Sequence, residues 1–217
     1  MRHFLKGPQS AALEEWKALA NEDWQPTYDD LQNPQKRRLH QSLLDEQGRA
    51  CCYCGRTISL TDSHIEHFRP QELRDDLALS YENLFASCIR ETAPGAPLHC
   101  GHAKGNDFDE AGHISPLDPT CERRFLYTLT GSILPSNQGD AQANYMNSLL
   151  RLDIDFLRNR RLEALTSAFD EGFIGSATDD ELEALAIAFR QRDADGSLES
   201  FGHVLARYAE QLLGRAV

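Results

Sequence analysis

The sequence predicts an α+β fold: a small, cysteine-framed β core between N-terminal and C-terminal α-helices, with one extra β-hairpin. Three observations carry this. Three of the chain's 6 cysteines fall within four positions, in "GRACCYCGRT", and "SHIEHF" follows ten residues later. The segments before and after that core show helical apolar spacing. Between them, "RFLYTLTGSILP" reads as two apolar strands around Thr130-Gly131.

From the N-terminus, "SAALEEWKALA" places apolar residues at 13, 16 and 19–20, a helical period. Turn formers fill "NEDWQPTYDDLQNP". Asn33-Pro34 then opens a second helix, Asn as N-cap and Pro in the first turn, which runs to about Gln47 and stops at Gly48. Residues 49–69 read as a short hairpin, with "CYCGRT" as a knuckle turn and "SHIEHF" as a β segment. Residues 80–87 read as a short helix or turn, and "ETAPGAPLHCGHAKGNDFDEAGH" as loop. After the 125–135 hairpin the pattern is helical. Thr178 and Glu181 make a capping box, and Leu198, Phe201, Leu205, Tyr208 and Leu212 repeat at spacings of three and four. The expected divisions are 1–47, 48–135 and 136–217.

The chain has 217 residues, 22 basic against 34 acidic, for a net charge of −12. That excess disfavours a freestanding protein that coats nucleic acid, since phosphate contacts need Lys and Arg. It does not exclude a nuclease, whose active site is itself acidic. Residues 153–217, with seven basic and thirteen acidic groups, form the least suitable nucleic-acid face and a candidate surface for a protein partner. The 198–212 row is one candidate seam, with intramolecular packing as its alternative. No apolar run approaches the length of a membrane span, and no secretory signal is evident, so a cytoplasmic location is expected.

In that compartment clustered cysteines hold metal more often than they form disulfides. Cys51-x-x-Cys54 supplies two thiolates on one turn, and zinc requires four ligands in a tetrahedron. Cys88, in "FASC", and Cys100, in "LHCG", are the expected second pair. Cys52 would point elsewhere, and Cys121 reads as a plain buried thiol.

His64, Glu66 and His67 follow the knuckle. On a strand, His64 and Glu66 share one face and His67 takes the other, and a bulge or bend would let Glu66 and His67 reach one site. Phosphodiester hydrolysis needs a base to activate water and a divalent ion to neutralise the leaving group. An imidazole suits the first task. A carboxylate and an amide oxygen suit the second, because magnesium prefers oxygen. Asn83, between the two halves of the cysteine frame, is a candidate to complete the ion's shell. Lys104 and Arg69 would touch phosphate or simply be solvated.

Together, "CCYC…HIEHFRP…NLFASC…HCGHAKGN" resembles the His-Asn-His (HNH, ββα-metal) nuclease motif with a zinc frame. Residues 1 to about 135 further resemble the PtuB group of HNH nucleases, from Septu and retron-associated anti-phage systems. They share "KGPQSAALEEW", "SHIEHFRP", "HCGHAKGN" and "SPLDP…CERRFLYTLTG". The resemblance implies Glu66 as a ligand of a catalytic Mg²⁺ or Mn²⁺, His67 as general base and Asn83 as the middle Asn. The third motif position falls on His102 or Asn106. His64 itself reads as orienting a backbone carbonyl or the catalytic His, or as contacting metal or phosphate. Zn²⁺ on Cys51, Cys54, Cys88 and Cys100 would be structural. The implied partners are nucleic acid (DNA ahead of RNA), a PtuA-like ATPase, and a retron reverse transcriptase with its msDNA. Two rival readings remain. A zinc-knuckle adaptor would need neither Glu66 nor His67. A zinc hydrolase using His64 and His67 lacks the usual His-Glu-x-x-His helix.

Overall fold

A computed structural model describes residues 1–214. Helix α1 (Ala11–Lys17) packs on α2 (Gln35–Glu46), which leads into the knuckle. α2 starts at Gln35, one residue later than the sequence suggests. Pro34 occupies the N-cap in a helical conformation and no side chain caps the end, so Asn33 lies outside the helix.

The central sheet pairs β1 (Ser63–His67) with β2 (Leu84–Cys88), antiparallel, in an unbroken register from Ser63↔Cys88 to His67↔Leu84. This replaces the expected hairpin within 49–69. The knuckle closes on itself through one isolated bridge, Ala50↔Thr57, and β1 finds its partner after residue 80. The short helix or turn expected over 80–87 is a single 3₁₀ turn at Tyr81–Asn83, and the rest of the stretch is β2. All five residues of β2 are buried, so the alternation that marks a half-exposed strand is missing from its sequence. Gln47, fully buried at the end of α2, anchors this arrangement. Its amide donates to the Ala50 and Ala86 carbonyls and accepts from the Ala86 N–H.

A four-residue helix, α3 (Gly101–Lys104), follows the long loop. The second hairpin forms where expected, as β3 (Phe125–Tyr127) and β4 (Ile133–Pro135). Helices α4 (Ala141–Leu149), α5 (Asp155–Ala168), α6 (Glu171–Ser176), α7 (Asp179–Ala188) and α8 (Gly202–Leu212) complete the described chain, and α7 carries the Thr178–Glu181 capping box. α8 is buried on every face from Gly202 to Ala209 and packs against α5, α7 and β3. Its entry is tied to the knuckle. The Leu198 N–H donates to Gly48 O, the Phe201 N–H to Gly55 O, and the Thr57 N–H to Ser200 Oγ, 143 residues away along the chain. A Cβ on Gly55 would lie 2.2 Å from the His203 ring, so glycine is required there for α8 to sit down. The 198–212 row is therefore an interior seam. Leu198, Phe201, Leu205 and Tyr208 are all buried in the chain's own core, and only Leu212 is half-exposed. Among the described residues no helix is long and apolar enough to cross a membrane.

Candidate active site and metal frame

The fold brings four sulfurs together from three places: Cys51 and Cys54 on the knuckle, Cys88 at the end of β2 and Cys100 just before α3. Their Sγ atoms all lie within 4.8 Å of one another, and Cys54 Sγ is 3.8 Å from Cys88 Sγ. A tetrahedron of sulfurs at about 2.3 Å from zinc has edges of about 3.8 Å, so the cage has the dimensions of a closed structural zinc site. The four are free thiols, all buried. Burial pushes the Cys88 and Cys100 thiols up, while at Cys51 hydrogen bonds from the surrounding thiols outweigh burial and hold it low. Outer contacts already orient the sulfurs. The Cys88 N–H donates to Cys51 Sγ at 3.3 Å, and His99 Nδ1 stands 3.2 Å from Cys100 Sγ and 3.4 Å from Cys88 Sγ. Burial lowers His99 to a pKa of about 4, so its ring is neutral, and it stacks on Phe156. Cys52 and Cys121 are buried outside the cage, their thiols raised by burial. Among the described residues these four cysteines form the one group of three or more His, Cys, Asp or Glu side chains whose ligand atoms converge.

β1 lies directly beside this frame and sends its two histidines into different surroundings. His64 Nδ1 donates to Ile89 O at 2.6 Å, and its Nε2 meets Glu66 Oε2 at 3.2 Å. Glu66 is buried. Its Oε1 accepts from Tyr53 OH at 3.0 Å and pairs with Lys104 Nζ at 2.9 Å. Burial works to raise Glu66, but His64 and Lys104 overcome it and hold the carboxyl below its usual range. Glu66 in turn raises His64 against the effect of burial. Since Nδ1 already donates to a carbonyl, a proton on Nε2 makes His64 an imidazolium clamped between Ile89 and Glu66. Gly101 makes room for this pair: a Cβ there would lie 2.3 Å from Glu66 Oε2 and 2.7 Å from His64 Nε2.

His67 is set up in the opposite way. Burial lowers its pKa, keeping the ring neutral. Nε2 lies 3.0 Å from Ala78 O, and a carbonyl can only accept, so Nε2 carries the hydrogen and Nδ1 is the basic atom. The Tyr28 ring meets the imidazole edge-on at 4.4 Å. His67 and Glu66 line one cavity of about 550 Å³ with Asn106, Lys104 and Asp29. No bulge is needed for this, since the ladder is regular through His67.

The remaining candidates separate. Asn106 lines that cavity. His102 does not: its Nε2 bonds Ile89 O at 3.1 Å and its ring lies 4.5 Å from that of His64. Asn83 is turned to the backbone instead of the cavity. Its Oδ1 accepts from the Arg69 N–H at 2.7 Å, and its Nδ2 donates to Arg69 O at 2.9 Å and Leu77 O at 3.3 Å. Its amide thus closes the loop between β1 and β2, and Asn83 does not line that cavity. Arg69 pairs with Glu110. Lys104, read from the sequence as a phosphate contact or a solvated cation, is buried and also donates to His67 O and Phe68 O. Tyr53 and Tyr28 escaped sequence reasoning altogether, since nothing in their local pattern distinguishes them from core aromatics.

No family model matches the chain. Over 103 residues it is 30% identical to a protein of Vibrio cholerae serotype O1 biovar El Tor named "Retron Vc95 putative HNH endonuclease". The match covers 46% of this chain and 48% of that protein, so the chain spans about half the length of the curated relative it matches. The mixed α/β chain with small sheets and a four-cysteine cage able to hold zinc is consistent with an HNH-like fold.

Proposed function

We propose that the chain is a metal-dependent HNH endonuclease that hydrolyses phosphodiester bonds at the Glu66–His67 cavity. One observation carries the reading: consecutive residues of β1 present an ionised carboxylate and a neutral imidazole to the same pocket. His67 Nδ1 takes the proton from the attacking water. Ala78 O fixes the tautomer and Tyr28 the plane of the ring. Glu66, with the amide oxygen of Asn106, would hold a Mg²⁺ or Mn²⁺ ion. Magnesium is commonly bound by one or two carboxylates plus substrate phosphates, which agrees with so sparse a set of side-chain ligands. When bound, the ion offsets charge on the phosphate and the departing oxygen. His64 and Lys104 are positioning residues: they hold Glu66 ionised and aimed. Zinc in the cysteine cage would fix β2, the knuckle and α3 relative to β1, with no part in the chemistry.

The test is cleavage of plasmid DNA and of RNA by the zinc-loaded chain with Mg²⁺ or Mn²⁺. His67→Ala should lower the rate about 10²–10⁴-fold with fold and zinc content intact. Cleavage by His67→Ala at the wild-type rate would refute the assignment. Work alongside an ATPase in anti-phage defence rests on the sequence resemblance, and co-expression with such an ATPase tests it.

A further inference from the structure

A larger cavity, of about 970 Å³, opens at the other end of β1. Ser63, His64 and Ile65 line it, whereas Ile65, Glu66 and His67 line the catalytic pocket, so Ile65 is common to both. The larger cavity is basic. Lys36, Arg37, Arg56 and Arg90 line it against Asp62 and Glu91, in a chain whose net charge is −12. Arg37 and Arg90 are exposed, and Lys36 is half-buried with Nζ 4.5 Å above the Tyr28 ring that abuts His67. Arg56 is partly committed, pairing with Asp62 at 3.1 Å.

The placement of these cations opposes local helix preference. A helix N-terminus favours acidic residues, because unpaired N–H groups and the macrodipole make it positive. α2 has none in its first turn and instead runs Lys36, Arg37, Arg38. A choice that disfavours the helix itself marks a residue kept for another task. Here three cations add to the positive end of a 12-residue helix, which suits an anion.

We infer that this groove takes the sugar–phosphate backbone of the nucleic acid upstream or downstream of the cut, with Lys36, Arg37 and Arg90 each contacting phosphate. The inference rests on the nuclease reading for its substrate class. The two cavities meet at Ile65, so a backbone lying in the groove runs on to the catalytic pocket. Phosphate contacts ignore the sugar and the base, so DNA and RNA should be held alike.

The experiment measures binding of 20-nucleotide DNA and RNA strands to the zinc-loaded chain, without added divalent ion, over a range of salt. The test variants are Lys36→Glu/Arg37→Glu/Arg90→Glu and the milder triple change to Gln. A control, Arg123→Glu/Arg151→Glu/Arg160→Glu, changes exposed cations that do not line the groove. Thermal melting and zinc content check the fold, and the Gln variant decides if the Glu variant is unfolded. The groove variants should bind both strands at least about tenfold more weakly, with a salt slope smaller by about two, at ~0.7 per single-strand phosphate contact. The control should stay within about twofold of the wild type. Equal loss in the control, loss on one nucleic acid only, or equal competition by polyglutamate would overturn the inference. Failure of the nuclease reading looks different: wild-type protein that binds through the groove yet cuts neither strand with Mg²⁺ or Mn²⁺. A wild type that cuts, beside groove variants that bind like it, refutes the groove alone.

Discussion

Replacing Asn83 with alanine should inactivate the site by loosening a loop. Asn83 is 3% exposed, and its amide makes three bonds to main chain, two to Arg69 and one to Leu77. The two shorter bonds contribute about 1 kcal/mol each, and the longest, at 3.3 Å, rather less. Leaving the Arg69 N–H without its acceptor adds at least ~1 kcal/mol. The sum is about 3 kcal/mol, which for a chain of this size lowers the melting temperature by about 6–12 °C. Arg69 stands two residues after His67, so the slackened segment reaches the base. Asn83→Asp separates this role from ion binding. Aspartate is the better magnesium ligand, and a residue that coordinated the ion would tolerate the change. As a brace it fails, because a carboxylate cannot donate to the Arg69 and Leu77 carbonyls. The assay pairs thermal melting with cleavage across a Mg²⁺ titration. We expect both variants to melt early and neither to recover with excess ion. An Asn83→Asp protein that cuts at the wild-type rate with less Mg²⁺, or an Asn83→Ala protein that melts within about 2 °C of the wild type, would refute the reasoning.

Stripping zinc with a strong chelator should unfold the region around the knuckle. Binding in such cages is of the order of 10 kcal/mol, comparable to the stability of a whole domain. Cys88→Ser should bring the same loss, read by elemental analysis and circular dichroism, and a folded zinc-free protein would contradict it. The acid limb of the pH–rate profile should lie below the ordinary histidine value of about 6.5. His67 must be neutral to accept a proton, burial has lowered its pKa, and activity is therefore lost only as pH falls through that lowered value. An acid limb above 7 would count against His67 as base. Gly101→Ala should lose most cleavage while keeping zinc, because its Cβ would displace the Glu66 carboxylate; wild-type kinetics from this variant would show that Glu66 need not sit where it does.

How far the sequence revealed this site depended on whether a residue's partner was close in kind or in position. The cage was legible because four like side chains must meet one geometry, and two share a knuckle. The 125–135 hairpin and the Thr178–Glu181 box were legible because each is a local device. β2 was not, since a strand buried on both faces shows no period of two. Lys104 was not, because its carboxylate partner lies on another element and a lone lysine after a glycine-rich loop looks solvated. Asn83 stood out in the sequence but its task did not: an amide serves equally as ligand or brace, and its three main-chain partners favour the brace. The 198–212 row has the same period whether it faces a partner or its own core, and the burial of α8 settles that question.

The link from the knuckle to the entrance of α8 bears on the order of synthesis. Gly48, Gly55 and Thr57 leave the ribosome long before their partners Leu198, Phe201 and Ser200, with 143 residues between Thr57 and Ser200. Contacts this distant form late and slowly, because the whole intervening loop must close first. A nascent chain that has already made its cysteine frame, Glu66 and His67 still lacks the helix against which the frame rests. Translation interrupted before α8 would therefore release fragments bearing every candidate catalytic group on an unsupported scaffold.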